Sequence, residues 1–163
     1  MGLTVDVELQ KAIDSLTIRD VYLRKSNSIL MDDFEPKYEP DTDKLAVQFK
    51  HTVTHSNILE LEEESGEKTC LYRVFVDLGA RWISPETEDD KNPKVKAFIE
   101  GTMVAEYQLD GDPGANALKV FALKNASYHI WPFWREYLSS QCSRMNLPKL
   151  VTPLKQFASN QGK

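Results

Sequence analysis

Apolar side chains recur at every second position over three long runs of the chain, and this alternation restricts the fold more than any other feature. In residues 43–62 the apolar face consists of Leu45, Val47, Phe49, Val53, Leu59 and Leu61. Two further runs, 70–82 and 95–109, alternate in the same way. A period of two is typical of a strand with one buried face. The sequence therefore predicts three long strands, joined by a turn at 64–68 and a polar loop at 84–93.

A weaker alternation precedes these three runs. Within residues 16–26 the apolar parity switches between Ile18 and Val21, which predicts a strand that contains a bulge. The stretch 28–43 has prolines and aromatic residues without a period, so we expect a long ordered loop, called the crossover loop below. Short turns between strands that each have one apolar face predict an antiparallel sheet whose other face contacts water.

The C-terminal third is expected to cover the apolar face of the sheet. Residues 110–114 break the last strand, and residues 115–145 predict one long helix that Pro132 should kink or divide. Its apolar positions are Trp131, Trp134, Leu138, Cys142 and Met145, with Ile130, Phe133 and Tyr137 beside them. These positions span about half of the helix circumference, more than one sheet requires, so the surplus aromatic surface predicts an oligomer. Residues 154–160 predict a short second helix, and residues 1–14 an N-terminal extension with a short helix of its own.

These elements define the predicted fold class, α+β: one domain, residues 1–163, whose four-stranded antiparallel sheet is covered on one face by a long and a short C-terminal helix.

The 20 basic and 25 acidic residues give a net charge of −5, which disfavours nucleic acid and anionic membranes as partners. Cys70 and Cys142 are too few for a disulfide framework and lack the spacing of a metal site. With no signal sequence and no uncharged run of about 18 residues, we expect a cytoplasmic protein that does not insert into a membrane.

The residue types that carry catalysis do not form a recognisable constellation in this sequence. His51 and His55 lie in a predicted strand, where their side chains would share one face at roughly 13 Å, too far apart to bind one metal ion. Asp110 and Asp112 with their glycines fit a strand-to-helix turn with an N-capping aspartate better than a calcium loop. No phosphate loop, dinucleotide fingerprint or nucleophile elbow is present. We therefore expect no enzyme activity, no cofactor and no metal.

An excess of aromatic and large apolar residues remains after the core is assigned. Phe34 and Tyr38 lie in the crossover loop, where no regular face is available to bury them. Side chains of this kind on irregular loops beside prolines favour a binding groove. For the aromatic residues of the long helix, completion of the core and of a subunit interface explains the same pattern.

Several motifs resemble the SecB family of protein-export chaperones. The segment SYHIWPFWREYL, residues 127–138, is similar to the first-helix pattern of that family, which is an aliphatic or aromatic residue, Pro, an aromatic residue and then Arg-Glu. The segment SRMNLPKLVTPLKQF, residues 143–157, resembles the connection between its two helices. IRDVYL at 18–23 is similar to its first strand, and DFEP at 33–36 to a step in its crossover loop.

The resemblance implies a homotetramer, built as a dimer of dimers, that holds unfolded polypeptides without ATP and serves protein export. The client-binding residues that it implies are Phe34, Tyr38, Leu147, Leu150, Leu154 and Phe157. The wide aromatic surface of the long helix becomes the subunit interface, through Trp131, Phe133, Trp134 and Tyr137. Non-polar contact with exposed client side chains would supply the affinity of such a groove, at about 25 cal/mol per Å².

Contact with the SecA translocation motor is implied less completely. Asp20 matches an acidic position of the family, but Arg24 stands where a glutamate is expected, and Glu100 lies beside another acidic position that falls on Gly101. These departures resemble divergent SecB-like proteins, some of which hold an antitoxin. Two alternatives therefore stay open: a chaperone dedicated to one labile partner such as an antitoxin, and a small-molecule-binding protein or enzyme that uses His51 and His55.

Overall fold

The computed structural model describes residues 2–86 and 92–150, and the chain begins with a helix that leads directly into the sheet. Helix α1 is Gly2–Ser15 and strand β1 is Leu16–Leu30. The crossover loop follows and contains one turn of 3-10 helix, Thr42–Lys44. Strands β2, Ala46–Glu62, β3, Lys68–Ile83, and β4, Val95–Leu109, come next. Helices α2, Ala115–Lys124, and α3, Ala126–Arg144, complete the described part.

The four strands form one antiparallel sheet in the order β1-β4-β3-β2. The α+β fold class is confirmed, with the three long strands within a few residues of their predicted bounds. Strand β1 runs to Leu30, further than predicted, and its register shifts after Ile18 and again after Leu23, as the change of parity indicated. The predicted helix at 154–160 lies outside the described residues.

The face of the sheet that packs against the helices is called the inner face here, and the opposite face the outer face. The core lies between the inner face of β3 and β4 and the apolar sides of α2 and α3. On α3, Ile130, Trp134, Leu138 and Cys142 are buried, as expected from three- and four-residue spacing. Gly101 of β4 makes room for the indole: a Cβ there would lie 3.3 Å from Cζ3 of Trp134 and 3.0 Å from Cδ1 of Leu23.

A bulge at Thr54 in β2 changes which residues face the helices. The register between β2 and β3 shifts between Val53 and His55, so every later residue of β2 exchanges faces. Leu59 and Leu61 therefore lie on the outer face, and their predicted place on the apolar inner face is wrong. Ile58 takes an inner-face position instead, paired with Tyr72.

The outer face is less exposed to solvent than predicted. Leu71, Phe75 and Val104 point away from the helices and are nevertheless buried. The ring of Phe75 is stacked on His55 with 4.1 Å between ring centroids. The guanidinium groups of Arg24 and Arg73 also lie over this ring, at 5.8 Å and 5.2 Å from its centroid. Flat cationic side chains thus replace water over an aromatic residue that no helix covers.

The long C-terminal helix is divided at Asn125, and the prediction that the division falls at Pro132 is wrong. Ala126 and Ser127 are buried, and these small side chains let the start of α3 approach the sheet closely. There the Ser127 Oγ and the His51 Nε2 are 2.6 Å apart. Pro132 is exposed within α3, where it removes one backbone hydrogen bond without ending the helix.

The turn from β4 into α2 differs in detail from the prediction. Gly114, and not an aspartate, occupies the N-cap of α2, with φ at 93°. Asp112 acts one step earlier, because its Oδ1 accepts a hydrogen bond from the backbone N–H of Gly114 at 2.9 Å. Gly111 also has a positive φ of 81°, so the two glycines supply backbone conformations that other residues rarely adopt.

Candidate functional site

The inner face of β2 is left largely uncovered by the described helices. Helix α3 packs on β4, β1 and β3, while α2 contacts one part of β2. As a result Phe49 is 53% exposed and Ile58 51% exposed, although both project to the same side as the buried core. The partly exposed apolar residues of this strip, Leu45, Val47, Phe49, Val53 and Ile58, are called the β2 shelf here.

A cleft of about 570 Å³ opens between the β2 shelf and α2, and it is called the β2–α2 cleft. Its strand side is formed by residues 53–58 together with Tyr72. Its helix side is formed by Ala115, Leu118, Lys119, Ala122 and Leu123. The bulge at Thr54 contributes directly, because it brings Ile58 to the inner face and so to this cleft. The volume is sufficient for a large aromatic or aliphatic side chain together with its neighbours.

A second cleft, of about 630 Å³, lies between the crossover loop and the C-terminal end of α3, and it is called the loop cleft. Its lining consists of Pro36, Lys37, Ser139, Cys142, Ser143, Asn146, Leu147, Lys149 and Leu150. Asn146 adopts a left-handed conformation with φ at 55°, which turns the chain back after α3. The N–H of Leu147 then donates to the carbonyl of Cys142 at 2.9 Å. This turn places Leu147 and Leu150 beside the crossover loop.

The predicted client-binding residues are distributed unevenly around the loop cleft. Leu147 and Leu150 line it, and Tyr38 stands on the adjacent loop with 76% of its surface exposed. Phe34 is only 2% exposed and lies beneath the ammonium group of Lys96, 5.3 Å from its ring centroid. Its side chain therefore anchors the crossover loop and does not present a surface. Leu154 and Phe157 lie outside the described residues.

The exposure of Phe49 and Ile58 in the structure differs from what the sequence predicts for them. Alternation predicts Phe49 as a buried residue and gives no reason to single out Ile58. Strand periodicity shows which side a residue projects to, but it cannot show whether a helix reaches that residue. The apolar parity of β2 gives no clear signal for the bulge, because Leu59 and Leu61 keep the odd parity of Val53 and only Ile58 departs from it.

The predicted interface residues on α3 also separate into two groups. Phe133 is 49% exposed, and Trp131 and Tyr137 are half-buried, so these side chains retain surface for a partner. Trp134 is 1% exposed and belongs to the core, which corrects its predicted place in a subunit interface. Its ring centroid lies 5.7 Å from that of Tyr137. The fold therefore divides the aromatic positions of this helix between the core and its surface.

Asp20 and Glu100, the predicted motor contacts, are both exposed on the sheet. Asp20 pairs with Glu106 in the strand register, and Glu100 lies six residues before Glu106 on the same strand. At about 3.3 Å per residue the two carboxylates are roughly 20 Å apart, so they do not form one cluster. Arg24 lies between them and covers Phe75.

The two histidines do not form a pair. His51 lies on the inner face near Ser127, whereas the bulge at Thr54 moves His55 to the outer face, against Phe75. The prediction that they share one face is wrong for this reason. An activity that depends on both imidazoles acting on one ion or one substrate is incompatible with this geometry.

A third histidine, His129, lies inside the domain between α3 and the sheet. Its Nδ1 is 2.7 Å from the Oη of Tyr107. Burial lowers the pKa of His129, and burial followed by the nearby Tyr72 raises the pKa of Tyr107. The phenol therefore keeps its proton at neutral pH, and its oxygen shares a hydrogen bond with Nδ1 of the neutral imidazole. Burial also raises the pKa of Cys142 to about 11, which keeps this thiol protonated at neutral pH.

The described residues were also compared with the features of a metal site and of a membrane-spanning helix, and they have neither. No group of three or more His, Cys, Asp or Glu residues within 2–86 and 92–150 is arranged to hold a metal ion. Among the helices of the same described residues, none is long and apolar enough to cross a membrane.

A four-stranded antiparallel sheet with a long crossover loop after the first strand and helices on one face is the architecture that the resemblance to SecB implies. A solved structure with this architecture is that of a SecB-like chaperone of Mycobacterium tuberculosis in complex with a ChAD peptide from the HigA1 antitoxin. The two structures match with a TM-score of 0.63 at 16% sequence identity, over 94% of this chain and 96% of that chain. The predicted divergent SecB-like fold is thereby confirmed.

The comparisons of the sequence with known families and with curated proteins found no match: no protein family model matches the chain, and no curated protein matches it either.

Proposed function

We propose that this protein is a holding chaperone that binds unfolded segments of polypeptide, without ATP, along the β2 shelf, in the β2–α2 cleft and in the loop cleft. The observation that carries the proposal is the exposure of Phe49 and Ile58 on the inner face, although their partners on β3, Ala80 and Tyr72, are buried. Exposed apolar surface of this kind is unfavourable in water unless a partner covers it. The SecB-like fold supports a chaperone function for that surface.

The groove explains how one protein would bind many sequences. Apolar contacts are not directional, so affinity depends on the area covered and not on one arrangement of hydrogen bonds. Because Phe49 and Ile58 are about half exposed, burying either one fully against a client contributes about 1–1.5 kcal/mol, roughly half of the value for a fully exposed side chain. The irregular crossover loop and the exposed Tyr38 add a surface that can adapt to different segments.

The test is suppression of aggregation of a chemically denatured protein, together with binding of a labelled unfolded segment. Replacing both shelf residues, Phe49→Asp with Ile58→Asp, should weaken client binding about tenfold or more, because two apolar contacts are replaced by desolvated charges. Leu61→Asp is the matched control, since Leu61 is on the same strand, 41% exposed, and on the outer face. Equal losses in the two variants would contradict a groove on the inner face.

The proposal includes a homotetramer that uses the aromatic surface of α3. Phe133, Trp131 and Tyr137 supply the apolar surface for such an interface. Native mass spectrometry should give four times the 18.6 kDa of one chain. Phe133→Glu should shift the tetramer to smaller species, and a monomeric wild-type protein would overturn this part of the proposal.

A second candidate function is a chaperone dedicated to one antitoxin. It is favoured by the similar structure from M. tuberculosis, which contains an antitoxin peptide. A dedicated chaperone should bind one segment of its antitoxin at least tenfold more tightly than unrelated unfolded proteins, measured by calorimetry. Similar affinities for all unfolded clients favour general holding, with export through Asp20 and Glu100 as the accompanying proposal.

A further inference from the structure

The charged residues that line the two clefts are all cationic among the residues that the structure describes. Lys119 lines the β2–α2 cleft, and Lys37 and Lys149 line the loop cleft. Neither described lining contains an aspartate or a glutamate. The chain as a whole has 25 acidic and 20 basic residues, so this distribution is opposite to its overall charge.

The three lysines are placed where a bound segment would meet them. Each is exposed at the rim of an otherwise apolar or neutral cleft. The ammonium group of Lys37 lies 5.4 Å from the ring centroid of Tyr38, so the loop presents a cation and an aromatic ring together. Lys119 lies on the same helix as Leu118 and Leu123, which line the cleft beside it. Apolar contact and a positive charge are therefore available within one binding site.

Acidic residues are present nearby, including Glu60 on the same face as Ile58, but none is in the described lining of either cleft. The acidic residues of the crossover loop are Asp32, Asp33, Glu35, Glu39, Asp41 and Asp43, all exposed and none in the described lining of either cleft. Asp41 also pairs with Lys44 of the same loop, at 3.1 Å. After Glu136 the sequence contains no acidic residue, whereas Arg144, Lys149, Lys155 and Lys163 follow.

We propose that the groove selects apolar and aromatic segments that carry acidic residues beside them. This inference rests on the proposed holding function and names the class of polypeptide that the same site prefers. Apolar side chains in the clefts supply most of the affinity, and carboxylates paired with the rim lysines decide between segments of equal apolarity. One exposed ion pair changes affinity by about twofold to fivefold, so two or three pairs give a preference of about tenfold.

The experiment uses two labelled peptides with the same Leu-Phe-Trp-Leu core, one flanked by aspartates and the other by lysines. Binding to the full-length protein is measured by fluorescence anisotropy. The acidic peptide should bind about tenfold more tightly at about 0.01 M salt, and the difference should largely disappear at about 1 M, where the Debye length falls to about 3 Å.

Charge reversal in the cleft identifies the residues responsible. Lys119→Glu should reduce the preference about fivefold or more, and adding Lys37→Glu and Lys149→Glu should reverse it. Lys50→Glu is the matched control, because it changes the net charge equally but lies exposed on the outer face of β2. The same reduction with Lys50→Glu would attribute the preference to net charge and overturn the proposal.

The outcomes separate this inference from the proposed function. If both peptides bind equally, or the basic peptide binds more tightly, while aggregation is still suppressed, the selectivity is wrong and the holding function stands. If neither peptide binds and aggregation proceeds as without the protein, both are overturned. Circular dichroism of each variant verifies that the fold is retained.

Discussion

Strands β2 and β3 lie side by side in the sheet, but the side chains on the inner face of β3 are buried and those on the inner face of β2 are partly exposed. Val53 and Val76 are direct partners in the register, but Val76 is fully buried whereas Val53 is only half-buried. Phe49 is 53% exposed opposite Ala80, which is 2% exposed. The larger apolar residue thus occupies the strand that the described helices cover least. A core would favour the reverse placement, which supports the proposal that the apolar surface of β2 contacts a partner.

The strongest test of this comparison is the removal of a covering residue. Trp134→Ala should lower the free energy of unfolding by about 3–5 kcal/mol, because the indole is fully buried against Gly101 and leaves a large cavity. Phe133→Ala is its neighbour on α3 and its control, and should cost below about 1 kcal/mol since this ring is 49% exposed. Urea denaturation measures both. Similar values would mean that Phe133 is covered as well, as in a subunit interface.

A smaller effect compares the two strands directly. Val76→Ala should lower the free energy of unfolding by about 2 kcal/mol, from two lost methyl groups and the cavity they leave. Val53→Ala, its partner across the strands, should cost about 0.5 kcal/mol or less but should weaken client binding. If Val53→Ala destabilises as much as Val76→Ala, the β2 shelf belongs to the core.

The smallest effect concerns the pH dependence of the free energy of unfolding, through the partly buried His129 of α3. The folded state holds His129 with a pKa below the ordinary 6.5, so the unfolded state binds a proton first as the pH falls. The contribution of His129 is therefore complete above about pH 6.5 and is lost as the pH falls from there towards its folded pKa, with a slope of at most about 1.4 kcal/mol per pH unit. Denaturation between pH 7 and pH 5 should show this loss.

The variant His129→Gln tests the origin of that slope. It should flatten the loss of stability between pH 6.5 and pH 5, apart from a constant cost for the changed contact with Tyr107. His55→Gln is the comparison on the outer face, and it removes an imidazole that does not touch Tyr107. An unchanged slope in His129→Gln would assign the pH dependence to another group.

Much of the sheet could be predicted from the sequence because strand periodicity is local. The alternation around Val74, Val76 and Leu78 shows both the strand and the side that is buried, and neighbouring turns set the antiparallel order. The division of the C-terminal helix at Asn125 could not be predicted from local periodicity. It depends on how closely Ala126 and Ser127 approach His51, a contact between residues far apart in the chain.

The candidate site was predictable in part. The aromatic residues of the crossover loop and the leucines after α3 pointed to a groove, and Tyr38, Leu147 and Leu150 lie at the loop cleft or on the loop beside it. Phe49 was read as a core residue, and Phe34, predicted as a contact, is buried. In both cases the residue type was informative, but its exposure depended on what packs against it.

The sequence by itself determined four antiparallel strands, the side to which most apolar residues project, and the helical cover, because these follow from local periodicity and from the need to bury an apolar face. Only the tertiary structure decided which part of that face stays open. Coverage depends on where α2 and α3 cross the sheet, on the bulge at Thr54 and on the space at Gly101 for Trp134. The apolar alternation of β2 is the same pattern as that of β3, but the described helices cover the inner face of β3 and leave much of the inner face of β2 exposed, a difference that strand periodicity does not encode.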